Sequence, residues 1–248
     1  MERDDLDPVA TFYSGDSFAP GATVTLSGEA AHHIRVARVA VGDAVALRDG
    51  AGCAALGTLV RAGKTSAMVD VHSVRELPRP APIHLLAPVA DRERMLWLAE
   101  KATELGVTSW RPVMWRRSKS VSPRGEGPMF QAKVKARMVS AMLQSGGGWL
   151  PDLFPEATVD RAVAAAPLGT RMLLDRDGEP IAAIPFRGPV TIALGPEGGM
   201  ESAERDVLIG AAFLPVRLAP NTLRFETAGV AAVAIAASFA SSSRQPNG

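Results

Sequence analysis

The chain has 248 residues, 47% of them hydrophobic, and a formal net charge of +1. That length supports one large core or two small ones, and the near-neutral total excludes nucleic-acid binding through overall charge alone. A single cysteine, Cys53, excludes an intrachain disulfide, a cysteine-based zinc site and a paired-cysteine redox centre.

The N-terminus is acidic (Glu2, Asp4, Asp5, Asp7) and lacks the apolar core of a signal peptide. The longest apolar run, residues 229–240, is mostly alanine and too short to span a bilayer. These features imply a soluble, cytoplasmic protein without a membrane partner. Residues 10–77 have β character, with strands expected at 22–26, 44–47, 54–60 and 67–74. Asp49-Gly50 and Ala62-Gly63-Lys64 punctuate them as turns, and a short helix is expected over 29–39. The pattern is that of a small β-barrel.

Leu77-Pro78-Arg79-Pro80-Ala81-Pro82 is a stiff connector, because proline fixes φ and removes a backbone donor. It divides the chain into domains at 1–77 and 82–243. Beyond it, strands are expected at 83–89, 107–113, 171–174, 190–194 and 213–218. Helices alternate with them at 92–105, 130–145, 202–211 and 224–241, the pattern of a parallel α/β sheet. Met95, Leu98, Ala99, Ala102 and Leu105 share one face of the first helix, and Gly106 stops it. Phe130, Val134, Met138, Ala141 and Met142 face inward on the second. The tail from Ser241 is polar and expected to fray.

Two loops carry the chemistry. Gly195-Pro196-Glu197-Gly198-Gly199 ends the apolar strand at 190–194, and Leu223-Arg224-Phe225-Glu226-Thr227-Ala228 opens an alanine-rich helix. Glycine lets backbone approach a ligand closely, so the loops suit two walls of one site. No Lys-Ser/Thr follows Gly199, so the phosphate-loop pattern fails. Basic residues concentrate at Arg111, Arg116, Arg117, Lys119, Arg124, Lys133, Lys135 and Arg137. Such a run attracts phosphates or is simply a solvated face. Trp115, beside Arg116 and Arg117, is the best candidate to stack on a base, whereas Trp97 and Trp110 read as packing residues.

The chain resembles the RsmE family of SPOUT methyltransferases. The resemblance rests on His32-His33-Ile34-Arg35-Val36-Ala37-Arg38, Val41-Gly42-Asp43 and Asp49-Gly50 in the first domain. In the second it rests on Glu100 to Val107, Arg116-Arg117-Ser118, Gln144-Ser145-Gly146, Leu194 to Gly199 and Leu218 to Ala228. The chain departs from the family pattern at Leu143, Gly147, Ala219, Asn221 and Phe225.

The resemblance implies a PUA-like β-barrel followed by a SPOUT parallel α/β domain with a trefoil knot. It implies methylation of N3 of a uridine in 16S rRNA of the small ribosomal subunit, with S-adenosylmethionine (SAM) as cofactor, no metal, and a homodimer. Alternatives are a noncatalytic RNA-binding homologue or a methyltransferase with another RNA target. The implied cofactor-binding residues are Leu174, Leu194, Gly195, Pro196, Glu197, Gly198, Gly199, Leu218, Ala219, Leu223 and Arg224. Arg224 is the expected catalytic cation, stabilising charge on the deprotonating base, and Glu226 is expected to take a proton or orient Arg224. His33, Arg35, Arg38, Arg116, Arg117 and Lys119 are the expected RNA contacts, although a His pair also serves as a plain structural or surface feature.

Overall fold

The computed structural model describes residues 7–120 and 125–242, with the backbone alone for Lys119, Ser120 and 240–242. Arg124 and most of the acidic and polar termini lie outside those residues. Two compact units emerge: the chain up to Arg79 with Met142–Leu150, and Pro80–Ala141 with the chain from Pro151 onward.

The first unit holds β1 (Ala10–Tyr13), β2 (Thr23–Ser27), α1 (Gly28–Val36), β3 (Ala44–Arg48), β4 (Cys53–Ala62) and β5 (Ser66–Glu76). Its sheet order is β1-β3-β4-β5-β2, parallel between β1 and β3 and antiparallel elsewhere. Phe12 of the first edge strand and Val24 and Leu26 of the other share one core with Ile34, Leu47, Leu59 and Val69. A sheet whose two edges meet in one core must curl, which gives the PUA-like half-barrel. Each large side chain buried there contributes about 1.5–3 kcal/mol.

α1 ends earlier than its composition suggests. Arg38 adopts a left-handed conformation (φ 55), and the Val39 N–H donates to the Ile34 carbonyl at 3.1 Å. This closes the helix by a motif that usually employs glycine.

Met142–Leu150 pairs with the turn before β4. The Gly52 N–H donates to the Gly148 carbonyl (2.9 Å), the Leu150 N–H to the Gly50 carbonyl (2.8 Å), and the Trp149 indole N–H to the Leu77 carbonyl (3.2 Å). The Trp149 ring fills the space where a side chain on residue 52 would sit, since a Cβ on Gly52 would lie 2.1 Å from it. Gly52 also has φ +98. Gly52→Ala is expected to lower stability by about 1–3 kcal/mol, read as a reduced urea midpoint. An unchanged midpoint would show that Trp149 swings aside freely.

The second unit is a parallel α/β sheet of order β12-β10-β11-β6-β7-β8, with β9 also on β7. It runs β6 (Ile83–Pro88), α2 (Arg92–Glu104), β7 (Ser109–Met114), a 3-10 turn (Arg116–Ser120), α3 (Pro128–Gln144), β8 (Asp152–Leu153), β9 (Ala157–Thr158) and α4 (Val159–Ala164). Then come β10 (Thr170–Pro180), a 3-10 turn (Ile181–Ala183), β11 (Val190–Ala193), α5 (Ser202–Gly210), β12 (Leu214–Arg217) and α6 (Phe225–Ser242). Asp91 caps α2 by accepting from the Arg94 N–H at 3.0 Å, and Gly106 (φ +79) ends it. All five residues expected inward on α3 are buried. α6 packs closely because Gly229 lies against Leu98 and Leu194.

His84 of β6 shares a 2.7 Å hydrogen bond with Ser109. Burial lowers its pKa, against a smaller opposing pull from Asp152. The unfolded chain therefore takes up this proton first as pH falls. The stability from neutral His84 is full above about 6.5 and is lost as pH falls through the lowered folded-state value. Urea titrations from about pH 7 to about pH 5 should show falling stability, with a smaller fall in His84→Gln. Equal slopes in both proteins would remove His84 from the account.

Candidate functional site

Three parallel strands end at one edge of the second sheet. β11 releases the chain at Leu194, β12 at Leu218, and β10 interrupts its pairing with β12 between Leu174 and Glu179. Ligands in open α/β sheets collect beyond the carboxyl ends of the strands. Here these ends line a cleft of about 640 Å3. Leu174, Leu194, Gly195, Pro196, Glu197, Gly199, Leu218, Ala219, Leu223 and Arg224 all line it.

Gly198, the remaining residue of the expected cofactor set, does not line the cleft. A Cβ on it would lie 3.2 Å from the Arg117 Cβ, and the Arg117 guanidinium donates to its carbonyl at 3.3 Å. Its lack of a side chain makes room for Arg117. The turn is closed by the Gly199 N–H donating to the Pro196 carbonyl at 2.9 Å, with Gly199 at φ +77.

Arg224 is exposed at the start of α6, and no ion pair holds it among the described residues. Glu226 does not pair with Arg224. It is buried, with Oε1 3.9 Å from Arg94 Nε, and Arg94 also pairs with Glu197 of the cleft loop. Sequence reading missed Arg94, which nothing in the periodicity of α2 marks as anything but a solvated residue. It also missed Asp175 and Arg205, an ion pair that lines the cleft. Backbone donation from Asp177 and the Arg205 charge hold the Asp175 carboxyl below its usual range, outweighing its burial. The polar run Asp175-Arg176-Asp177 after an apolar strand was the available signal. Of the departures from the family pattern, Ala219, Asn221 and Phe225 fall on the cleft.

The expected RNA contacts lie in both units. His33, Arg35 and Arg38 are exposed on and after α1, with His33 edge-on to Phe12. Arg116 and Arg117 occupy the turn after β7. The Lys119 side chain lies outside the described residues. Glu204 fixes this turn, accepting from the Arg116 N–H at 2.8 Å while forming a capping box with Glu201.

Trp115 is not available for stacking. It is 2% exposed and belongs to the core cluster with Leu86, Val113 and Phe213. Trp97, expected to pack, is instead 44% exposed. The basic run does not form one free face: Arg111 stacks on Phe154 (4.3 Å) and Arg137 pairs with Glu100 (3.0 Å). Among the described residues no cluster could hold a metal ion, and no helix is long and apolar enough to cross a membrane.

Residues 77–237 match the model of an RNA methyltransferase domain, and residues 26–71 that of an RNA methyltransferase PUA domain. The chain belongs to the RsmE family of RNA methyltransferases. It is 28% identical over 225 residues to the ribosomal RNA small subunit methyltransferase E of Synechocystis, covering 86% of this chain and 72% of that protein. It is 29% identical over 230 residues to its Mycobacterium bovis namesake, covering 88% and 86%. Among solved structures, the Neisseria gonorrhoeae ribosomal RNA small subunit methyltransferase E bound to SAM superposes with TM-score 0.85 at 27% identity. That match covers 93% of this chain and 97% of that one. A Legionella pneumophila protein solved with SAM gives 0.86 at 26% identity, covering 94% and 98%. The departures at the cleft therefore sit within a methyltransferase fold retained along nearly the whole chain.

Proposed function

We propose that the protein is a SAM-dependent methyltransferase that modifies N3 of a uridine in 16S rRNA of the small subunit. The observation that carries this reading is the cleft at the carboxyl edge of β10, β11 and β12, built from glycine-bearing and leucine-bearing loops. When bound, SAM supplies an electrophilic methyl group on a sulfonium, and transfer needs no metal. Leu174, Leu194, Leu218 and Leu223 offer apolar walls, and the backbone of Gly195 and Gly199 is open to an adenosyl group. Alignment of the donor methyl with the acceptor nitrogen is then the main catalytic task. Calorimetry should show SAM binding to the whole chain, and absence of binding would refute the reading.

His33, Arg35, Arg38, Arg116, Arg117 and Lys119 are proposed to meet RNA phosphates, in the cytoplasm where ribosomes are assembled. Arg116 is the cleaner test, because its side chain is 72% exposed whereas Arg117 also holds the Gly198 carbonyl. Arg116→Glu should weaken RNA binding and lower the salt slope by about one, with SAM affinity kept. Arg117→Glu should weaken both. Equal SAM affinities in the two variants would remove Arg117 from the cleft loop.

The chain is proposed to act as a homodimer, with α6 contributing to the contact through its small residues. Light scattering at micromolar concentration should give twice the chain mass, and a monomer mass would contradict this.

A further inference from the structure

One row across the sheet of the first unit carries two arginines. Tyr13 pairs with Arg48, Arg48 with Ala54, and Ala54 with Arg75. The adjacent row holds Phe12, Leu47, Ala55 and Val74, which pack into the core. Successive strand residues point to opposite faces, so the row with the arginines lies on the outer face. Arg48 and Arg75 stand there two strands apart, with about 10 Å between their Cα atoms. Only the methyl group of Ala54, itself 2% exposed, lies in the row between them.

No ion pair holds Arg48 or Arg75 among the described residues. The carboxylates next to them in the chain are turned elsewhere. Asp49 Oδ1 accepts from the Ala51 and Cys53 N–H groups at 2.7 and 2.8 Å, and strand alternation puts Glu76 on the face opposite Arg75. Burial lowers the Arg48 pKa, and the Arg75 charge lowers it further, so the two cations repel each other. Like charges held together without a counter-ion disfavour the folded state, and such an arrangement points to a site for an anion. Arg48 is also set in place. It is half-buried, and Nη1 donates to the Leu47 carbonyl at 3.0 Å. Nη2 makes no hydrogen bond among the described residues, and of the three nitrogens only Nε is both buried and unpartnered. Arg75 is exposed. Donors are therefore open on both sides of Ala54. A tetrahedral phosphate offers oxygens to two planar guanidiniums at once, which a single planar carboxylate does less well. RNA, the proposed substrate, carries that anion at every nucleotide.

We infer that Arg48 and Arg75 clasp one backbone phosphate of the RNA substrate on the outer face of the half-barrel, in addition to the contacts proposed for His33, Arg35 and Arg38. The inference rests on RNA being the substrate. The contact holds the RNA and takes no part in methyl transfer.

The test measures binding of the full chain to small ribosomal subunits from cells lacking the gene, without SAM, from about 50 to about 300 mM salt. Arg75→Gln should weaken binding at about 150 mM salt by at least about fivefold, the scale of one lost charge-assisted contact. Adding Arg48→Gln should bring the loss to at least about tenfold and lower the salt slope by about one, the value for a single phosphate. Arg75→Lys should keep the parental slope, because the charge remains. The urea midpoint of Arg75→Gln should equal or exceed the parental one, since one like charge is gone, and SAM affinity should be unchanged. A slope lowered by about two in the double variant would give each arginine its own phosphate and overturn the shared clasp. A reduced urea midpoint in Arg75→Gln would make the pair structural and overturn it as well. Inorganic phosphate that binds the parent in calorimetry and not Arg75→Gln, with affinity for the subunit kept, would make this a site for free phosphate and overturn the RNA assignment. Parental affinity and slope in the double variant would refute this inference and leave the methyltransferase reading standing. A parent that binds the subunit but not SAM would refute that reading and leave the clasp standing.

Discussion

Arg224→Ala is expected to lower turnover by about two to three orders of magnitude while leaving RNA binding largely intact. Arg224 immediately precedes α6, lines the cleft and is exposed, with no ion pair among the described residues. A guanidinium held in place by a partner carboxylate would be partly neutralised, and this one is not. As the acceptor nitrogen loses its proton, negative charge spreads onto the flanking carbonyl oxygens. A cation already standing at that edge stabilises the charge without reorganising, and the N-terminus of α6 adds its positive end. Arg224→Lys should restore part of the rate, because it keeps the charge while losing the planar fork. Single-turnover kinetics separate this from a binding defect. Parental turnover in Arg224→Ala would make Arg224 a structural residue of the helix start.

Gly178→Val is expected to be strongly destabilising and to reach the cleft although Gly178 itself does not line it. A Cβ on Gly178 would lie 2.4 Å from the Pro215 carbonyl carbon and 2.5 Å from the Val216 nitrogen. Both are backbone atoms of β12 and have no flexible end to move. β10 and β12 must therefore part where the register shifts between Leu174 and Glu179. Leu174, Val216 and Leu218, which line the cleft, are displaced with them. Stability should fall by about 1–3 kcal/mol or more, and SAM affinity by at least about tenfold. Calorimetry and urea titration on the same preparation check both. Parental affinity in a folded Gly178→Val protein would show that the β10 bulge does not shape the cleft.

The strongly periodic elements were legible in the sequence because their burial repeats. The α2 and α3 faces and the strands β2 to β7 follow this rule, apart from small differences at their ends. β8, β9 and α4 were not legible, since two-residue strands and a six-residue helix carry no period. β10 outran its apolar core because Asp175 to Gly178 bulge out of the ladder and read as a turn. Trp115 and Trp97 exchanged roles for a reason local pattern cannot encode. The turn at Arg116 is tied to Glu204, 88 residues away, and the indole before it is buried in one cluster with Leu86, Leu208 and Phe213, all distant in the chain. The glycine-rich and Leu-Arg loops were readable as motifs. The partnership of Glu226 with Arg94 was not, because it joins the starts of two helices far apart in the chain.

Mass spectrometry of small-subunit rRNA from a strain lacking the gene tests the central claim most directly. One uridine should lack one methyl group in that strain. The parent gene should restore it, and a gene encoding Arg224→Ala should restore only a small fraction. Ribosomal RNA with the same methylation pattern in the presence and absence of the gene would contradict the account.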